Sequence, residues 1–381
     1  MSIPDPVDLT RQLVRCASVT PEEGGALTHL GEVLQRAGFE VFRADREGIA
    51  NLVARFGPKG NGRVFGFNGH TDVVPPGDAD SWTHPPFEAV MEDGVIWGRG
   101  ATDMKSGVAA FVAAACAVAA EGPDGSILIT VTGDEEGDAS HGTTAILDWM
   151  DQNGERMDVC VVGEPSSTDA LGDAIKIGRR GSMNGHLIAS GVQGHSAYPA
   201  TAKNPLHALM AFLAPFAERA LDDGTDHFEP SSFQVTTIDC GNPATNVIPA
   251  QARANFNIRF NDLHTGAGLS EMLRARAEEV AEATGVRMDL NVKISGESFL
   301  TEPGALTDLA ARAIEAETGR VPQMSTGGGT SDARFVTRHC PVVEVGLRNA
   351  TIHQVDERVS VAEIEGLTRI YARMMRDYFA S

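Results

Sequence analysis

SILITVT (Ser126 to Thr132), running into GDEEGD (Gly133 to Asp138), is the stretch on which the fold turns. Its residues are aliphatic or β-branched and do not alternate with polar ones, so the segment reads as a strand buried on both faces. GPDG precedes it and Gly133 follows, which bounds it with turns. A strand covered on both faces requires helices on both sides of its sheet, which places the chain in the α/β class. In such sheets ligands collect beyond the strand ends, and there the sequence puts Asp134, Glu135 and Glu136.

Working outward, the same arrangement recurs. DVCVVGEP (Asp158 to Pro165) is an apolar run ending in Glu164. FGFNGHTDVVPPGD (Phe65 to Asp78) is another, with His70 and Asp72 past its end. Residues two apart in an extended segment share a face, so Asp72 can orient the His70 imidazole. WGRGATDMKSG (Trp97 to Gly107) puts Asp103 where a glycine-rich turn enters a helix, and NATIHQVDE (Asn349 to Glu357) carries His353. Taken singly, these are a polar turn, a helix N-terminal charge, a solvated acidic loop and one of 11 histidines. His141, beside the acidic cluster, reads as a solvent-facing residue or a further ligand.

The remaining pattern supports a sheet flanked by helices. Asp5-Pro6 signals a helix start, with the helix running to about Cys16. Short β-rich runs cover Phe39–Ala44, Asn51–Phe56 and Val64–Asn68, and helices are expected after Asp103 and over Thr143–Asp151. After about Arg180 the pattern changes to two rounds of strand, helix and strand: GSMNGHLIASG, Pro205–Leu221, SFQVTTIDC, then RANFNIRF, Leu269–Ala283, VRMDLNVKI. From about Gly296 the α/β pattern resumes, with helices over Ala305–Thr318 and Val361–Tyr378 and a strand at Pro341–Val345. The expected organisation is therefore a discontinuous catalytic domain with a mixed sheet, residues 1–180 and 296–381. An α+β two-layer sandwich, residues 181–295, is inserted into it.

Composition narrows the function classes. The formal charge of −21 disfavours nucleic acid and anionic membranes as partners. The longest apolar run, GVAAFVAAACAVAA (Gly107 to Ala120), is shorter than the ~20 residues of a membrane span and reads as a buried helix. Five scattered cysteines without a CxxC pair argue against a disulfide framework and fit a cytoplasmic protein. GGGT lacks the lysine of a phosphate-binding P-loop, and no GxGxxG joins the first strand and helix.

Together, two histidines and three carboxylates in turns after apolar strands form a mixed nitrogen and oxygen ligand set that suits zinc. Five ligands exceed the needs of one tetrahedral zinc with an open position. They suit two ions sharing a carboxylate, about 3.5–4 Å apart.

The ordered set GHTDVVPPGD, GRGATDMKSG, DEEGDASHGT, GEPSS, GRRGS, GHSAYP, NVIPA, GGGTSD and TIHQVDE resembles the M20 family of metallopeptidases and deacylases over nearly the whole chain. The resemblance implies that Asp103 bridges two zinc ions, for which cobalt can substitute. His70 and Glu164 would complete one site, and Glu136 and His353 the other. It implies Glu135 as the general base, Asp72 as the residue orienting His70, and a cis peptide at Asp103–Met104. His195 would reach the site of a second subunit, in a homodimer formed through the inserted domain, to hold the tetrahedral oxyanion. Arg179 and Arg259 would bind substrate carboxylates, with Ser182, Tyr198, Asn246, Gly329 and Thr330 as polar neighbours; Arg180, adjacent to Arg179, competes for that role. Ser106 stands where many relatives have glycine. The implied reaction is hydrolysis of a small N-succinylated diamino acid, N-succinyl-L,L-2,6-diaminopimelate, with Glu135 moving the proton from water to the leaving amine. A deacylase of the same family acting on acetylornithine or on acylated amino acids is the alternative, and a non-catalytic metal-binding protein of the same fold is a third reading.

Overall fold

Gly125–Thr132 is buried along its whole length, because strands pair with it on both edges and helices cover the sheet. In the computed structural model, which describes residues 2–60 and 62–381, it is third in an eight-stranded mixed sheet. The order is Glu40–Arg43, Asn51–Phe56, Gly125–Thr132, Arg63–His70, Val159–Val162, Val342–Glu344, Ala174–Lys176 and Gln323–Ser325. Gly125–Thr132, Arg63–His70, Val159–Val162 and Val342–Glu344 run parallel, so their C-terminal ends open on one edge.

The chain forms two units. The first comprises residues 1–177, 301–325 and 331–381 and contains this sheet. The alanine-rich run is the helix Lys105–Glu121, buried on nearly all sides. It packs on the C-terminal helix Val361–Ala380 and on the N-terminal helix Pro6–Arg15. Phe67 stacks on Phe111 with centroids 4.1 Å apart, and Tyr371 packs edge-on to both. Asp5 caps Pro6–Arg15 by accepting from Val7 N and Asp8 N, as the Asp-Pro signal predicts. Among the described residues no helix is long and apolar enough to cross a membrane.

The second unit comprises residues 178–300 and 326–330. Its antiparallel sheet has the order Ser232–Asp239, Gln251–Phe260, Gly181–Ser190, Arg287–Gly296. Strict alternation along Gln251–Phe260 turns Phe256, Ile258 and Phe260 onto a core with Phe212 and Leu273 of helices Pro205–Ala217 and Gly266–Thr284. Gly181 and Gly185 lie opposite Phe260 and Phe256, and a Cβ on either would enter the facing ring.

Several details depart from the sequence expectation. The division falls after Ile177 and Leu300 and not at 180 and 295, because Gly178–Arg179 pairs with Phe299–Leu300 as a ribbon of the second unit. Residues 326–330 also belong to that unit. The helix expected over Pro205–Leu221 stops at Ala217. Helix Ala26–Arg36 carries no sequence start signal, since Gly25 precedes it in the left-handed region without a side-chain cap. Three short strands, Val90–Glu92, Val95–Trp97 and Arg358–Ser360, form a further small sheet.

Candidate metal centre

Register brings the acids and histidines together. His70 pairs with Thr132 and Asn68 with Val162, so the ends of three neighbouring parallel strands are level. The turn after Thr132 carries Glu135 and Glu136, and the turn after Val162 carries Glu164. Asp103 enters from the N-terminal side of helix Lys105–Glu121, across a cis Asp103–Met104 peptide. His353 comes from the loop before Arg358–Ser360, which pairs with Val95–Trp97. All of these residues lie in the first unit.

The Asp103 carboxylate faces two histidines. Its Oδ1 lies 3.2 Å from His70 Nε2, and its Oδ2 lies 3.3 Å from His353 Nε2. Glu164 Oε1 is 3.5 Å from His70 Nε2, and Glu136 Oε1 is 2.8 Å from His353 Nε2. Ligand atoms of His70, Asp103 and Glu136 all lie within 4.8 Å of one another, as do those of His70, Glu135 and Glu164. His70, Asp103 and Glu164 are buried. Buried carboxylates gathered at this density demand compensating positive charge.

Protonation supplies that charge in the polypeptide alone. Burial opposes a charged His70, but the hydrogen bonds it donates to Asp103, Asp72 and Glu164 outweigh it and raise its pKa well above the usual value. Asp103 and Glu136 lift His353 to about 10. Burial and the neighbouring Asp103 push Glu164 up to about 7, and burial with Glu164 raises Glu135 well above the carboxylate range. Burial works against the Asp103 anion, yet His353 and His70 hold its pKa low. The cluster therefore gathers protons around acids, and its imidazole and carboxylate donors fit divalent cations that would replace those protons.

His70 Nδ1 bonds the backbone carbonyl of Asp72 at 2.9 Å, while the nearer Asp72 carboxylate oxygen is 3.5 Å away. The carbonyl is thus the closer partner that fixes the ring and leaves Nε2 for the centre. The Asp72 carboxylate also accepts from Glu135 N, Glu136 N and the Thr20 hydroxyl, at 3.2, 3.1 and 2.6 Å. Arg334 Nη1 lies 4.0 Å from Glu135, and Asp332 accepts from Thr143 within the same interior. Thr20, Arg334 and Asp332 escape the sequence reading, because a lone Thr, Arg or Asp carries no spacing signal. His141, read from the sequence as solvent-facing or as a further ligand, has a buried Nδ1 without a hydrogen-bond partner. The Ser106 hydroxyl donates to Ala101 O, stapling the turn that carries Asp103.

The residues assigned to substrate all fall in the second unit, as does His195. His195 sits on Gly194–His195, paired with Val247–Ile248, and Ser196 N donates to Asn246 O. Ala197 N donates to His195 Nδ1 at 3.0 Å, so the neutral ring carries its proton on Nε2. Tyr198 is exposed. Arg179 is buried, and its Nη1 donates to Gly327 O and Gly329 O, which ties the glycine loop, with Thr330 next in the chain, to this unit. Arg180 pairs with Glu229 at 3.3 Å. Arg259 lies opposite the buried Ser182, has a buried Nη1 without a hydrogen-bond partner, and is made less basic by burial and by Arg180.

Comparison with known proteins agrees with this geometry. Residues 66–377 match the model of peptidase family M20/M25/M40. The chain is 62% identical over 376 residues to a succinyl-diaminopimelate desuccinylase of Cereibacter sphaeroides, covering 98% of this chain and 99% of that one. It is 59% identical over 380 residues to the enzyme of the same name from Paracoccus denitrificans, covering 99% of each. An M20 family metallo-carboxypeptidase from Sulfolobus solfataricus has the same fold, with a TM-score of 0.80 at 14% identity, covering 99% of this chain and 100% of that one. An acid-and-histidine cluster at the end of a parallel sheet, a two-layer insertion and a full-length match thus lead to one conclusion: the chain belongs to the M20/M25/M40 peptidase family.

Proposed function

We propose that the chain hydrolyses the succinyl amide of N-succinyl-L,L-2,6-diaminopimelate to succinate and L,L-2,6-diaminopimelate, within lysine and cell-wall precursor synthesis. The carrying observation is the Asp103 carboxylate, one oxygen directed at His70 and the other at His353. That is the disposition of a carboxylate shared by two cations. His70 and Glu164 would hold one, and Glu136 and His353 the other. Zinc suits the donors, and cobalt can replace it. Bound there, the cations would supply charge to the amide carbonyl oxygen and make water more acidic.

Glu135 stands beside the cluster and takes the proton from the attacking water. The water oxygen bonds to the carbonyl carbon, the C–N bond breaks, and Glu135 returns the proton to the departing amine. The Nε2–H of His195 is a neutral donor suited to the oxyanion of the tetrahedral intermediate, delivered from the second copy in a homodimer. Exposed Ile238 and Met210 on the second unit provide apolar surface for such an interface. Arg259 supplies an uncommitted N–H for a substrate carboxylate, and Arg179 secures the Gly329–Thr330 loop. Cytoplasmic residence fits the free thiols of all five cysteines.

The relatives' names and the full-length similarity support the succinyl substrate over other acyl groups. Purified protein loaded with zinc is assayed against N-succinyl-L,L-2,6-diaminopimelate and acetylornithine. Faster turnover of acetylornithine would overturn the assignment.

A further inference from the structure

Two residues outside the ligand set organise one side of the centre. Glu357 is fully buried, and its carboxylate is saturated by one stretch of chain. Oε1 accepts from Thr102 N at 2.8 Å and Asp103 N at 3.1 Å. Oε2 accepts from Gly100 N at 3.0 Å and from Arg99 Nη1 at 2.7 Å. The guanidinium of Arg99, also buried, continues to the loop bearing the second histidine. It donates to Gln354 O at 3.1 Å and His353 O at 3.4 Å.

That loop needs restraint. His353 has φ 60° and Asp356 φ 61°, a left-handed conformation that non-glycine residues adopt only where surrounding contacts hold them. Its far end is pinned where Asp356 accepts from Thr83 N and Thr83 Oγ1, both at 2.8 Å. Arg99 grips the near end. Truncating either partner of a buried ion pair strands a charge, so the pair is costly to disturb.

We infer that Arg99 and Glu357 are positioning residues: their buried pair is a latch that fixes the Asp103 turn against the His353 loop and so sets the cation site on the His353 side. The inference rests on the two-cation reading above. Two of the three segments that build the His353 side, the Asp103 turn and the His353 loop, hang on the latch, and the third, the Glu136 turn, is held by Asp72. The His70 side shares Asp103, but its own ligands His70 and Glu164 sit at the ends of sheet strands, and the latch's hydrogen bonds run to residues 100–103 and 353–354 and not to them. Glu357→Gln retains shape but replaces one acceptor with a donor facing either Arg99 or the Thr102–Asp103 amides. Arg99→Lys retains charge but lacks the fork that spans Glu357 and two carbonyls.

The test titrates metal-free full-length chain with Co²⁺, followed by calorimetry and visible absorption, in wild type, Glu357→Gln, Arg99→Lys, His353→Ala and His70→Ala. Thermal melts monitor folding. Wild type is expected to take two ions. Either latch variant should bind one of them about 10–100-fold more weakly and the other with little change. The weakened step should match the one lost in His353→Ala and not the one lost in His70→Ala. Folded variants that bind both ions like wild type, or that lose both equally, overturn the latch while leaving the two-cation reading intact. Failure of both variants to fold assigns the pair to the core and also overturns it. A wild-type chain that takes fewer than two ions overturns both readings.

Discussion

At Asp103 a single carboxylate serves two histidines, and both its oxygens are committed within 3.3 Å. Glu135, one residue before Glu136, lies among acids, and its own burial together with the Glu164 charge raises its proton affinity. Replacing Glu135 with Gln should lower kcat by about 10²–10⁴-fold, the usual contribution of a general base. The metal content should stay unchanged, which elemental analysis of the purified variant checks. The sign of the pH effect on metal binding follows from His353, at about 10, and Glu164, at about 7. Both groups hold protons below those values and must lose them to bind a cation. Affinity should therefore rise with pH through this range, with protons released on binding. Calorimetry in buffers of different ionisation heat measures that release, and affinity independent of pH between 6 and 9 (roughly the accessible range for these groups) would contradict it.

Among the elements, close approach of backbones decides what the site tolerates. Gly346 follows the strand Val342–Glu344, and a Cβ there would lie 2.1 Å from Glu164 O. Backbone cannot rotate away as a side chain can. Gly346→Ala should therefore cost about 1–3 kcal/mol and displace Glu164, read as a lower melting temperature together with weakened metal binding. In the second unit Asp222 ties a loop to the sheet, accepting from Gly224 N at 2.8 Å, Asn261 Nδ2 at 2.7 Å and Ser231 N at 3.2 Å. Partial burial works against its charge, but those bonds hold its carboxyl at about 2. The folded value lies below the unfolded one of about 3.9. The stabilisation is thus complete above about pH 4 and fades as pH falls towards about 2. Denaturation of wild type and Asp222→Asn should show a stability gap that is constant near neutrality and closes over that acidic interval.

For the whole molecule, cations and a second copy are the expected additions. Dialysis against a chelator should abolish hydrolysis, and zinc or cobalt should restore it. Sedimentation should give a species of twice 40.3 kDa, and a monomer retaining full activity would remove His195 from the reaction. The parallel sheet was readable because strands buried on both faces are continuous apolar runs, as in Ser126–Thr132 and Val159–Val162. The short strands Ala174–Lys176 and Gln323–Ser325 lacked that length and went unseen. Asp72 stands within 3.5 Å of His70, on the face its spacing predicts, while the bonds its carboxylate also accepts from the Glu135 and Glu136 amides were not readable from spacing.

By itself the sequence determined which residues stand at strand ends, since periodicity and turn chemistry are local, and its ordered motifs pointed to the family. Tertiary structure alone decided that Glu357 would grip the Asp103 turn and that Arg99 would hold the His353 loop, across a separation of 258 residues. The physical reason is that a buried charge must find its partner in space, and a single sequence carries no signal for a pairing made only when the sheet closes.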